Sequence, residues 1–189
     1  TWIGFWFNIP GVTADPTQVA DNFYNTGSDV VISGIDTTEG LVQADAATEA
    51  GGTAFNVAYD YEAGCEAAPE VCLGVPFFNW GPIYLEQLTA MREGEWGPDF
   101  LWPMPDWENF DDLTINTSAF NLGEGLSDEA AEAVEMLRLE LAEGLELWAG
   151  PLNLQDGTEY VADGENITDQ QLWYMPQLLE GIDGQSVPD

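Results

Sequence analysis

Three short apolar runs carry the strongest constraint on this chain, because a helical pattern precedes the first, another separates it from the second, and an acidic cysteine loop separates the second from the third. Ser28–Ser33 (SDVVIS), Thr53–Tyr59 (TAFNVAY) and Val71–Phe78 are rich in β-branched and aromatic residues. Before the first, Asp15-Pro16 is an N-cap followed by proline at the first helical position, with Val19, Phe23 and Tyr24 recurring at helical spacing up to Gly27. Between the first and second lies a helix over Glu39–Ala50, which Gly51-Gly52 ends. Strands alternating with helices indicate an α/β chain with a doubly wound parallel sheet. The opening stretch Thr1–Asn8, TWIGFWFN, reads as a further strand buried on both faces, stopped by Asn8-Ile9-Pro10-Gly11, and its aromatics belong to the middle of the sheet. In such sheets ligands sit beyond the carboxyl ends of the strands.

The second half is less regular. Pro82 opens a helix to Glu93 with Ile83, Leu85, Leu88 and Met91 apolar, and residues 94–112 read as loop. Leu113–Phe120 alternates like a strand. Ser127 caps a long helix to Glu146 that has acids in its first turn, Leu152–Val161 with Asp156-Gly157 is a hairpin, and Thr168 to Gln171 is a capping box for a helix to Gly181. No repeat or linker marks a domain boundary.

Charge decides which partners are open. Thirty-five acidic side chains face two basic ones, Arg92 and Arg138, giving a formal charge of −33 with no histidine and no lysine. Nucleic acid and anionic membrane surfaces are excluded as partners, since phosphate binding rests on Lys and Arg. Self-repulsion on this scale points to a salt-rich setting, where screening is short-ranged. Without histidine there is no Ser-His-Asp triad, Cys-His pair or His-ligated zinc site, and without lysine no Walker loop or Schiff base. No calcium-loop pattern occurs, so neither a metal nor a cofactor is expected; Asp106, Glu108, Asp111 and Asp112 read as a solvated acidic loop sooner than a cation site. Paired-carboxylate hydrolysis remains formally open, since so many acids always supply pairs.

Cys65 and Cys72, with six residues including a proline between them, are either a free buried pair or a disulfide; the disulfide is the preferred reading and implies an oxidising compartment. The sequons at Asn116 and Asn166 agree with export. No apolar run reaches the roughly 20 residues of a membrane span.

Taken in order, Trp2-Ile3-Gly4-Phe5-Trp6-Phe7, Asp29-Val30-Val31, Asp36, Tyr59-Asp60-Tyr61-Glu62 and Asn79-Trp80-Gly81-Pro82 resemble the BMP/PnrA-like substrate-binding proteins of ABC transporters, basic membrane lipoproteins that capture nucleosides. That family's pattern reads roughly W-x-G-x-W-F, (A/S)-D-V-I with an Asp after the strand, G-Y-D-x-D and N-W-G-P, ending in a D-G hairpin and a helix. The resemblance runs nearly end to end but covers only the second half of such a protein. It implies that residues 1–189 form the C-terminal lobe of a two-lobed, type I periplasmic-binding fold that clamps its ligand between lobes. Residues 78–82 would be a hinge crossing, and the 82–93 helix would pack on the missing N-terminal lobe. By position, Trp6 would stack on the ligand base or serve as core, Asp36 would line the cleft or cap the helix at Thr37, and Glu62 would stand where a carboxylate binds ribose hydroxyls. Asn79 would fix the hinge backbone or touch ligand, and Phe78 stands where purine-binding members can carry a lysine. The expected function is a non-enzymatic extracellular solute-binding protein, lipid-anchored through a segment outside this chain, delivering a nucleoside-like small molecule to an ABC permease. The alternatives are a sensory or structural surface protein reusing the fold, or a secreted acidic hydrolase.

Overall fold

The computed structural model describes residue 1 and residues 3–186 in two compact units. The first comprises Thr1–Asp99 and Pro103–Arg138, and the second Phe100–Trp102 and Leu139–Asp189.

In the first unit the order is α1 (Pro16–Asn25), β1 (Val30–Ile32), α2 (Glu39–Glu49), β2 (Phe55–Val57), two 3-10 turns, β3 (Cys72–Phe78), α3 (Gly81–Glu93) and β4 (Ser118–Leu122), followed by most of α4 (Asp128–Ala142). The sheet order is β1-β2-β3-β4, with β1, β2 and β3 parallel and β4 antiparallel to β3. The α/β class with a parallel-rich central sheet is therefore as the alternating pattern predicts. Asp15 accepts a hydrogen bond from the Thr17 amide at 2.9 Å and Pro16 starts α1, as the sequence indicates. Helix α2 packs so closely on the sheet that a Cβ at Gly40 would lie 2.6 Å from Ser33 Oγ and 2.8 Å from Asn56 Nδ2. Any side chain there would have to displace the Ser33 hydroxyl and the buried Asn56 amide.

The core joins Leu41 and Ala44 of α2 to Ala54, Ala58, Val71, Cys72 and Val75 around the strands, with Tyr24 of α1 packed against it. Tyr24 donates its hydroxyl proton to the Phe55 carbonyl at 2.9 Å, fastening α1 to β2, and burial pushes its pKa upward. Asn56 is fully buried yet satisfied: its Nδ2 donates to the Val31 carbonyl at 2.8 Å and to Ser33 Oγ at 3.2 Å.

The opening stretch departs from expectation. Residues 3–8 form no strand, so the first position in the sheet falls to β1. Gly4 takes a φ of +111°, the Ile3 carbonyl accepts from Ala14 N–H, and the Trp6 carbonyl accepts from Asp36 N–H. Backbone groups engaged by a loop and a turn cannot also serve a ladder, and no neighbouring strand among the described residues lies against them. Ile3 is buried as expected, whereas Phe5 and Phe7 are exposed and meet edge to face at 4.9 Å. Trp2 lies outside the described residues.

Further elements are shorter than the sequence indicates, among them α4, which ends at Ala142 instead of Glu146. The strand read over Leu113–Phe120 begins only at Ser118, because Asp112 accepts from the Thr114 amide and hydroxyl and holds the preceding residues in a turn. Buried Asn116 completes that turn, its Nδ2 donating to the Asn109 carbonyl at 2.7 Å and its Oδ1 accepting from Asp106 N–H.

In the second unit, β5 (Leu152–Asn153) and β6 (Glu159–Val161) form the predicted hairpin with Gly157 at φ +84°. Asp156 accepts from Gln177 Nε2 and the Thr158 amide, which holds its carboxyl below the ordinary range. The last helix, α5 (Asp169–Trp173), has the full capping box but stops well short of Gly181, since Pro176 disfavours helix at the residue before it. The following segment instead pairs with the hairpin through Leu154 and Leu179.

Candidate functional site

Two turns leave the carboxyl ends of the adjacent parallel strands β1 and β2 and enclose a recess of about 190 Å³. Asp36, Thr37 and Thr38 come from the turn into α2; Ala58, Tyr59, Asp60 and Tyr61 follow β2, and Gly64 completes the lining. The placement follows the general rule for parallel sheets. Cys65 and Cys72 are disulfide-bonded, so the loop that carries Gly64 is stapled to the start of β3, as the cysteine spacing suggested.

Asp60 is the unusual residue. Its φ is +71°, the sole non-glycine positive value among the described residues. Hydrogen bonds from Asp60 N–H to the Pro76 carbonyl at 2.9 Å and from Phe78 N–H to the Asp60 carbonyl at 3.4 Å hold it there against β3. Left-handed backbone is tolerated by Asp and Asn better than by other side chains, and it clusters at functional sites. Burial, followed by the negative charge of Asp36, pushes the Asp60 carboxyl pKa upward. Burial and the charges of Asp60 and Asp36 raise that of the Tyr59 phenol as well. Thr37 Oγ1 is buried without a hydrogen-bond partner among the described residues. The recess therefore offers two carboxylates, two phenols and an unsatisfied hydroxyl.

Aromatic rings extend from it. Tyr59 meets Phe78 edge to face at 6.3 Å, Phe78 meets Trp80 at 5.5 Å, and Trp80 stacks on Tyr84 at 6.1 Å. Trp6 is 57% exposed, and its carbonyl accepts the Asp36 amide proton at 2.8 Å, which places its backbone beside the recess.

Of the residues singled out in the sequence, Asp36 lines the recess, and Trp6 adjoins it. Asp36 makes no side-chain cap; the helix begins at Glu39 after Thr38. Glu62 is exposed and is not among the lining residues. Asn79 is committed to the backbone: its Nδ2 donates to the carbonyls of Leu113 and Asn116, each at 2.7 Å. Asp60 was missed as a site residue, although its place in Tyr59-Asp60-Tyr61-Glu62, directly after a strand, was the available signal. In the acidic loop, Asp106 accepts from the amides of Glu108 and Asn109 and from Asn109 Nδ2, and these bonds lower its pKa; its oxygens cap a turn. No group of three or more potential metal ligands occurs among the described residues.

A purine-binding protein of Brucella abortus (strain 2308) is 27% identical to this chain over 183 residues, 96% of the chain and 47% of the relative. The resemblance read from the motifs is borne out. This chain spans about half the length of that relative. No family model matches. An ABC transporter solute-binding protein from Conexibacter woesei DSM 14684 aligns with 69% of this chain and 41% of its own at 18% identity and a TM-score of 0.45. Both are binding proteins. No helix among the described residues is long and apolar enough to cross a membrane.

Proposed function

We propose that this chain is one lobe of an extracellular solute-binding protein that captures a nucleoside-like molecule and delivers it to an ABC permease. The observation that carries the reading is the recess at the ends of β1 and β2, where carboxylates and exposed aromatic rings stand together without a catalytic constellation. A planar base stacks on an aromatic face, and ligand hydroxyls or amino groups donate to carboxylates. Trp6 supplies the stacking face; Asp36 and Asp60 supply the acceptors, with Asp60 taking the role first assigned to Glu62. The purine-binding relative supports the ligand class.

Closure onto a second lobe accounts for α3. None of its residues is buried, and Tyr84, Leu85, Leu88 and Met91 are all exposed. An apolar helix face of this kind is a contact surface. Residues 78–82 then form the hinge crossing, and anchoring to a lipid belongs to a segment outside this chain.

Tryptophan fluorescence titration in molar salt with adenosine, inosine and guanosine tests this. Saturable quenching by at least one of them that Trp6→Ala weakens by about 10-fold, on the order of one lost base stack, is the expected result. Absence of any saturable response sinks the assignment.

A further inference from the structure

Of the two sequons, Asn116-Thr117-Ser118 and Asn166-Ile167-Thr168, the fold seals one and presents the other. Asn116 is 2% exposed, and its Nδ2 donates to the carbonyls of Asn109 at 2.7 Å, Asp106 at 3.3 Å and Phe110 at 3.3 Å. Ser118, the third residue of that sequon, is paired with Phe78 in the sheet. A substituent on this buried nitrogen would displace hydrogen bonds that nothing else there replaces. A folded molecule has no room for a glycan on Asn116.

Asn166 has the opposite setting. It follows a turn in which Glu165 N–H donates to the Ala162 carbonyl at 3.1 Å and Gly164 takes a φ of +76°. The backbone is pinned on both sides of it: Gly150 N–H donates to the Glu165 carbonyl at 2.7 Å, and Ile167 N–H donates to the Trp148 carbonyl at 3.1 Å. Asn166 itself is exposed, and its side-chain amide makes no hydrogen bond among the described residues. Thr168 is exposed as well, with extended backbone at φ −85° and ψ 156°. Both residues that define the sequon therefore stand at the surface of a fixed strap.

We propose that Asn166 is an N-glycosylation site and that Asn116 is not. The inference rests on the reading of the chain as an exported protein, since sequons are modified on secreted chains. The donor is a glycan carried on a lipid phosphate or diphosphate. The bond from Asn166 Nδ2 to the anomeric carbon forms, and the bond from that carbon to the phosphate oxygen breaks. The lipid phosphate leaves with the electron pair, and one amide proton passes to a base of the transferase. Thr168 also has a structural role, its hydroxyl accepting from Gln171 N–H at 3.2 Å as the cap of α5. Aspartate caps a helix equally well but completes no sequon, so Thr168→Asp separates the two roles.

Mass spectrometry of the protein recovered from the cells that naturally make it decides the matter. Cleavage after glutamate releases peptides 109–124 and 166–180, each holding one sequon. Peptide 166–180 should exceed its sequence mass by a series of monosaccharide residues attached to Asn166, and peptide 109–124 should keep its sequence mass. Asn166→Gln and Thr168→Asp should each abolish the added mass, and Thr168→Ser should retain it. An unmodified Asn166 overturns the proposal, and so does a glycan on Asn116 or an added mass that survives Thr168→Asp. Solute binding by a protein whose Asn166 is unmodified keeps the functional reading and removes this one, whereas a glycan at Asn166 on a protein that binds no solute does the reverse.

Discussion

Asp36 and Asp60 follow neighbouring parallel strands and line one recess, where the charge of Asp36 adds to burial in raising the Asp60 pKa. The sign of the resulting pH dependence follows from proton counting. Between the ordinary carboxyl value of 3.8 and the raised one, the folded state holds more protons than the unfolded state, so this group's contribution to stability falls as pH rises. Asp60→Asn should therefore be more stable than the wild type at pH 7, with the difference disappearing below about pH 3.8, as urea midpoints at the two pH values would show. Asparagine also accepts the left-handed backbone. Asp60→Val, at φ +71°, should instead be destabilised by roughly 1–2 kcal/mol relative to Asp60→Asn.

Asn56 ties β1 to β2 through its side chain as well as its backbone. Replacement by alanine leaves the Ser33 hydroxyl without its partner and opens a void under Gly40. The expected loss is about 2–3 kcal/mol, measured by denaturant unfolding at fixed salt. A loss below about 0.5 kcal/mol would place the residue outside the core network.

The Cys65–Cys72 bond fixes the loop that ends the recess. Changing both cysteines to alanine should cost about 2–4 kcal/mol of stability and weaken solute binding more than the same loss of stability elsewhere. Paired unfolding and binding titrations of the double variant, against a control with an equally destabilising change in α4, separate the two effects.

Net charge sets the dependence on salt. With thirty-five acids and two bases, repulsion extends about 10 Å at 0.1 M salt and about 3 Å at 1 M. Tm should rise steadily across that range of sodium chloride. A flat or falling Tm would mean that the charges are neutralised by another route.

Much of the fold was legible wherever local rules decide a boundary. The Asp15-Pro16 start, the Gly51-Gly52 stop, the Thr168 capping box and the Asp156-Gly157 turn each fix a boundary through neighbours a few residues away. The opening stretch was not legible, because hydrophobicity identifies a segment fit for a sheet but not whether a partner edge is available beside it. Leu113–Phe120 misled for a similar reason: its alternation is genuine, yet Asp112 and Asn116 capture the backbone first. At the site, position within a motif led to Glu62, while the feature that distinguishes Asp60, a left-handed residue held against β3, exists only in three dimensions.

Isothermal titration of the protein as its gene encodes it, in molar salt, with purine nucleosides and recovery of the ligand afterwards, tests the central claim most directly. The account predicts one-site, saturable heat with at least one nucleoside, weakened about 10-fold or more by removing either Asp36 or Asp60, since each would accept hydrogen bonds as a charged group. It also predicts that the ligand is recovered chemically unchanged. No heat with any nucleoside, or recovery of a cleaved product, would contradict it.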